Sequence, residues 1–332
     1  MSSAKITTAK AKPLPPGVYT PVITLFDGTP EQGVNLDAMY KHCQYLVNAG
    51  CHGLVYLGTN GELPMLDADE RVAVIKNARK AVTDMGIPDY PILAGITAQS
   101  TSETIKNAKA AAAAGAGWGL LLPPSYWNKA VNTDVLVGFY RDVADASPIP
   151  IVIYNFPGVT QGVDIDSDQL CALASHPNIV AAKLTCANVG KGIRVTAKYG
   201  PEHMSIFGGS ADYLIPGLTL GSSGCVVGMG NVFPKSVSRL YDYYKAGKIE
   251  EATALQEKVA LAEWACKKGI ACTKYAAYYH IGRSIGLDNE SFFHMRKPYL
   301  PLNDGLKKWT LEVLSVLEET EKTMPGREAI VS

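Results

Sequence analysis

The feature that most constrains this chain is a series of eight short, almost continuously apolar runs. Most are spaced about 30 residues apart, with amphipathic stretches between them. The runs are Gly17–Phe26, Gly53–Gly58, Pro91–Ile96, Gly119–Pro124, Pro150–Asn155, Ile179–Thr185, Ser205–Gly209 and Gly224–Gly228. A short, β-branched run with no polar alternation reads as a strand covered on both faces. The intervening segments read as helices. Asp67–Thr83 carries Val72, Ile75, Ala78 and Val82 at helical spacing, and Ser100–Gly115 opens on a Ser-x-x-Glu capping box at Ser100 and Glu103. Asn132–Ser147 and Asp166–Ser175 have the same character. Strands alternating with helices imply one parallel sheet, and eight strands suffice to close it. The expected fold is therefore a (β/α)8 TIM barrel, with an open doubly wound sheet as the alternative. Pro234–Ala246, Ile249–Gly269, Cys272–Ile285 and Asp304–Thr323 read as helices with no strand between them. The expected organisation is a disordered N-terminal tail over 1–16, a barrel over 17–247 and a C-terminal helical extension over 248–332.

The formal net charge is zero, with 31 basic and 31 acidic residues, so no basic excess points to nucleic acid. No apolar run approaches the ~18 residues of a spanning helix, so no membrane partner is expected. Seven cysteines, an odd number with no C-x-x-C, fit free thiols in a reducing compartment. The six histidines form no metal-binding spacing. Met1–Pro16 contains lysines and hydroxyl residues but no acid, a weak likeness to a transit peptide that lacks arginine. The expected location is cytoplasmic, with mitochondrial as the alternative.

Barrel enzymes build their sites at the carboxyl ends of the strands. The residues there include Thr24, the Gly58–Glu62 loop GTNGE, Tyr126 in PPSYW, Tyr154 and Asn155, Lys183 and Thr185, Gly209 and Ser210, and Val226. Lys183 stands out because it interrupts the apolar run NIVAAKLTC. A lysine in such a strand is desolvated whichever way it points, and desolvation favours the neutral, nucleophilic amine. That amine can attack a ketone, and the resulting protonated imine is an electron sink. A structural lysine paired with a carboxylate is the alternative. Tyr154 lies one βα unit earlier, so it should sit on the adjacent strand at a similar height, where its hydroxyl could relay protons. A core tyrosine bonded to backbone is the competing reading. The small residues and N–H groups of GTNGE could wrap a carboxylate.

GTNGE, YNFPG, KLT and GGSAD, in this order and spacing, resemble the dihydrodipicolinate synthase / N-acetylneuraminate lyase family. The likeness runs from about Gly17 to at least Ala246. It implies a TIM barrel, usually oligomeric as a dimer or tetramer, that binds a small 2-oxo acid as a Schiff base and needs no cofactor. Lys183 matches the family's Schiff-base lysine and Tyr154 its proton-relay tyrosine. Thr59 and Asn60 match its carboxylate-binding pair, and Tyr126 matches, more loosely, a tyrosine supplied by a neighbouring subunit. Gly208 or Gly209 falls at the family's strand-seven glycine; Thr185, Ser210 and Val226 complete the expected substrate contacts. Members of the lysine pathway follow Y-N-x-P with Ser-Arg-Thr, where this chain has Gly158-Val159-Thr160. The missing arginine disfavours dihydrodipicolinate synthesis. KLTC and its neighbours look most like the aldolases of 2-keto-3-deoxy sugar acids and of 4-hydroxy-2-oxoglutarate. The reaction implied is retro-aldol cleavage of a 4-hydroxy-2-oxo acid. A dehydratase using the same imine, or a non-catalytic 2-oxo-acid-binding barrel, remains as an alternative. Should the substrate carry a hydroxylated tail, Thr185, Ser210 and Asn231 are expected to serve it.

Overall fold

The computed structural model describes residues 11–326. Eight parallel strands close in sequence order, the last pairing back to the first. They are β1 (Gly17–Pro21), β2 (Gly53–Tyr56), β3 (Ile92–Gly95), β4 (Trp118–Leu121), β5 (Ile151–Asn155), β6 (Ile179–Leu184), β7 (Ser205–Gly208) and β8 (Gly224–Val226). The fold is the expected TIM barrel, and the continuous apolar character of the strands has its cause here. Tyr19, Val55, Leu93, Trp118, Val152 and Phe207 fill the barrel interior, while Leu54, Ile92, Ile151 and Ile179 face the helices outside. Neither face reaches water, so period-two alternation is lost.

The outer ring is α1 (Leu36–Asn48), α2 (Ala68–Asp84), α3 (Thr101–Ala113), α4 (Thr133–Ala146), α5 (Ser167–Ala174), α6 (Val189–Thr196), α7 (Leu214–Thr219) and α8 (Pro234–Lys245). Most begin where a side chain caps the first free N–H groups: Asn35, Asp67, Ser100, Asn132, Asp166 and Asn188. The reciprocal capping boxes occur at Asp67/Glu70 and Asp166/Gln169. At Ser100 only half of the expected box is made: its hydroxyl accepts from Glu103 N, while the Glu103 carboxylate turns to Lys106.

The expected N-terminal tail divides. Residues 1–10 lie outside the described residues. Residues 11–16, expected to be disordered with them, are instead packed across the amino-terminal mouth of the barrel. Leu14 is fully buried among the interior residues, Trp118 Nε1 donates to the Lys12 carbonyl at 3.0 Å, and Tyr19 Oη donates to Pro15 O at 2.8 Å. The physical reason is that a barrel lined by large apolar side chains needs a plug at its closed end.

Three further helices follow: α9 (Ile249–Lys267), α10 (Ile270–His280) and α11 (Asp304–Thr323). They do not build a core of their own. Val259, Ala262, Leu314 and Leu317 join one apolar cluster with Val18, Cys225 and Leu240 of the barrel. This extension overhangs the carboxyl ends of the strands, so α9 and α10 contribute to the site as well as to stability.

Candidate active site

The pleat of β6 aims Lys183 inward, between Ala182 and Leu184, which pack outward. Lys183 pairs in register with Tyr154 on β5. Its Nζ lies 4.1 Å from the centre of the Tyr154 ring. The Tyr154 hydroxyl in turn meets Thr59 Oγ1 at 3.1 Å. Lys183 and Tyr154 are 4% and 3% exposed. Two other lysines are comparably buried, and both have carboxylate partners: Lys191 pairs with Asp164, and Lys274 with Glu62. Among the described residues no carboxylate pairs with Lys183. The structural alternative for this lysine therefore lacks the partner it requires. The competing reading of Tyr154 also weakens, because its hydroxyl meets a side chain in the cavity and not backbone.

The GTNGE loop is held from two sides. Thr24 Oγ1 donates to Gly61 O at 2.7 Å, so the hydroxyl at the end of the first apolar run serves the loop's position. Glu62 turns with φ of 54°, and both its oxygens are engaged. Lys274 Nζ of α10 donates to Oε1 at 2.7 Å, and Arg296 N donates to Oε2 at 2.9 Å. Lys274 also donates to His294 O at 2.7 Å and sits over the Phe26 ring. Burial pushes the Lys274 ammonium down to about 8 even though Glu62 opposes the shift. Gly61 is required by close approach, since a Cβ there would lie 2.8 Å from Leu57 N.

Thr59, Asn60, Tyr154, Lys183, Thr185, Gly209, Ser210 and Val226 all line one cavity of about 590 Å³ at the carboxyl ends of the strands. A second cavity of about 520 Å³ adjoins it and shares Thr59, Tyr154 and Val159. Tyr154 thus stands where the two meet. Gly209 keeps the floor open: a Cβ would fall 2.2 Å from Thr185 Oγ1. Thr185 Oγ1 and Ser210 Oγ are buried without hydrogen-bond partners.

Two expected residues are placed elsewhere. Tyr126 is 69% exposed, edge-on to Trp127, and does not line the Lys183 cavity within this chain. Asn231 is fully buried, with its amide donating to Pro21 O and Gly228 O and its oxygen accepting from Ile23 N. Its capacity is used in fixing the ends of β1 and β8, so it is not available to a substrate. Residues the sequence reading missed come from the extension: Glu263, Cys266 and Lys267 of α9, together with Gly269, Ile270 and Thr273, line the same cavity. A usable signal existed for Glu263, an acid set within the apolar stretch Leu261-Ala262-Glu263-Trp264-Ala265.

The model of the dihydrodipicolinate synthetase family matches residues 15–316. The chain belongs to that family. A Coccidioides immitis protein, provisionally named a mitochondrial 4-hydroxy-2-oxoglutarate aldolase, is 44% identical over 308 residues, covering 92% of this chain and 96% of the relative. The L-threo-3-deoxy-hexylosonate aldolase of Hypocrea jecorina is 40% identical over 280 residues, covering 81% and 88%. Among solved structures, a dihydrodipicolinate synthase family protein from Coccidioides immitis superposes with a TM-score of 0.87 at 40% identity, covering 96% of this chain and all of that one. A prophage protein of the family from E. coli K12, in complex with pyruvate, gives a TM-score of 0.79 at 26% identity, covering 92% and 98%. In this family member Val159 lines both cavities and carries no charge.

Proposed function

We propose that this family member is a class I aldolase that cleaves a 4-hydroxy-2-oxo acid to pyruvate and an aldehyde through a Schiff base on Lys183. The observation that carries the reading is the buried lysine without a carboxylate partner, set over Tyr154, whose hydroxyl meets Thr59. The names of the fungal relatives support the same class of substrate.

The neutral Lys183 amine adds to the C2 carbonyl, and loss of water gives the iminium. Thr59 and Asn60 hold the C1 carboxylate. Tyr154, within reach of Thr59, takes the proton of the C4 hydroxyl. The C3–C4 bond then breaks, its electrons pass into the iminium to give an enamine, and the aldehyde leaves. Protonation at C3 and hydrolysis release pyruvate and restore the amine. The chemistry is complete without a metal or organic cofactor. The substrate favoured is a 2-keto-3-deoxy sugar acid such as L-threo-3-deoxy-hexulosonate; 4-hydroxy-2-oxoglutarate, giving glyoxylate, is the alternative the relatives' names also support. Tyr126, exposed on its own chain, would serve the site only from a neighbouring subunit, in a dimer or tetramer. Among the described residues no helix is long and apolar enough to cross a membrane. For location, the relatives' names favour the mitochondrial alternative over the cytoplasmic expectation.

The test is incubation with pyruvate and borohydride, followed by peptide mapping. One reduced pyruvyl group on Lys183 is the expected result. Labelling of another lysine, or none, would refute the mechanism. Lys183→Arg should show no capture, because a guanidinium stays protonated.

A further inference from the structure

In the cavity that Lys183 lines, three polar groups stand together without complete partners. Glu263 reaches in from α9, only 3% exposed, and its Oε2 has no hydrogen-bond partner. Ser210 Oγ and Thr185 Oγ1, from the ends of β7 and β6, are likewise buried; Ser210 Oγ has Glu263 itself as its near polar neighbour, and Thr185 Oγ1 has no partner. Buried polar atoms are normally satisfied, so three incompletely satisfied groups lining one cavity mark the place of a polar ligand group. With Lys183 at C2 and the Thr59–Asn60 loop at C1, as proposed above, these groups are left for the far end of the molecule.

We infer that Glu263, with Ser210 and Thr185, forms the subsite for the aldehyde end of the substrate and selects a neutral, hydroxylated tail over a carboxylate tail. The inference rests on the aldolase reading above and adds a specificity residue to it. Two hydroxyls and a carboxyl group can both donate and accept, which is what a row of substrate hydroxyls requires. A carboxylate tail could only accept. Once Glu263 ionises, such a tail would also meet a like charge in the cavity, with Asp212, on the turn after β7, close enough to act on Glu263. The nearby cation, Lys267 of α9, is already paired with Asp212.

Desolvation, reinforced by the Asp212 charge, raises the Glu263 carboxyl to about 8; Ser210, Lys267 and the Ala211 N–H only partly oppose it. Cys225 of β8 and Cys266 of α9 also feel the Glu263 charge. Below pH 8 Glu263 is therefore a neutral donor. Above it, the ionised group still accepts from hydroxyls but repels a carboxylate.

The experiment compares kcat/KM for L-threo-3-deoxy-hexulosonate and 4-hydroxy-2-oxoglutarate at pH 6.5–9 in the wild type, Glu263→Gln and Glu263→Leu. The ratio of the two cancels effects on Lys183, which lines the same cavity. In the wild type the ratio favours the hydroxylated substrate and should rise on the order of tenfold as pH passes through 8. In Glu263→Gln, which is isosteric and never ionises, the ratio should be flat with pH. In Glu263→Leu it should fall by about tenfold, the loss of one hydrogen bond. Borohydride capture of pyruvate is run on the wild type first. No capture overturns the aldolase reading and this inference with it. Capture with the same ratio and pH profile in wild type and Gln variant, or faster turnover of the carboxylate tail by the wild type at every pH, overturns this inference alone.

Discussion

Lys274→Met tests whether the helical extension holds the substrate-binding loop in place. The lysine and Glu62 are 0% and 1% exposed at their side chains, so water cannot replace either partner. Met keeps most of the volume of the lysine stem but leaves the Glu62 carboxylate with the Arg296 N–H and, as its nearest cation, an Arg296 guanidinium already paired with Glu70. Breaking one side of a buried pair typically costs about 3–5 kcal/mol, mostly from the unpaired charge left behind. For a chain of this size that corresponds to a fall in melting temperature of roughly 5–15 °C. Glu62→Gln in the Lys274→Met background should recover much of the stability, because the uncompensated charge is then gone. The assay is a double-mutant cycle by urea or thermal unfolding, with KM for the 2-oxo acid measured alongside. KM should rise in Lys274→Met, since Glu62 ends the loop that bears Thr59 and Asn60. Additive single-mutant effects, or an unchanged KM in a destabilised variant, would refute the claim that this pair couples the extension to the loop.

Three further outcomes follow from the same geometry. Tyr154→Phe should lower kcat by roughly 10²–10⁴ with the fold intact, because only the hydroxyl beside Thr59 is removed; near-normal turnover would make Tyr154 a packing residue. The Glu263 carboxyl, at about 8 against an ordinary 4.5, holds a proton in the folded state that the unfolded chain has released, so its contribution to stability is lost as pH rises from 4.5 through 8. Glu263→Gln should thus gain on the wild type by up to roughly 4 kcal/mol between pH 5 and pH 9 in denaturant titrations, and a pH-independent difference would show that the carboxyl is not neutral. Condensation of pyruvate with aspartate semialdehyde should be slower than the aldol cleavage by on the order of 10²–10⁴ in kcat/KM, because Val159 offers no charge to the distal carboxylate and Lys267 is held by Asp212. A faster condensation would mean that Lys267 leaves Asp212 to bind it.

What the sequence determined by itself is what local pattern encodes. A strand covered on both faces loses its polar alternation, and eight such strands linked by capped helices specify a closed barrel. Lys183 was visible because it breaks the apolar run of β6, and Tyr154 because strands one unit apart align their ends. The wall that α9 and α10 add to the site, by contrast, could not be placed from the primary pattern. Glu62 and Lys274 are 212 residues apart, and nothing near either marks the other as its partner. Glu263 stands out as an acid in an apolar stretch of α9, but nothing in the sequence lays that helix over the strand ends. Asn231 and Tyr126 show the converse: both stand where a site residue could be, yet one is consumed by backbone groups and the other faces outward. Periodicity records which face of an element is buried; which side chains meet across elements depends on how the helices pack, and that only the tertiary structure decides.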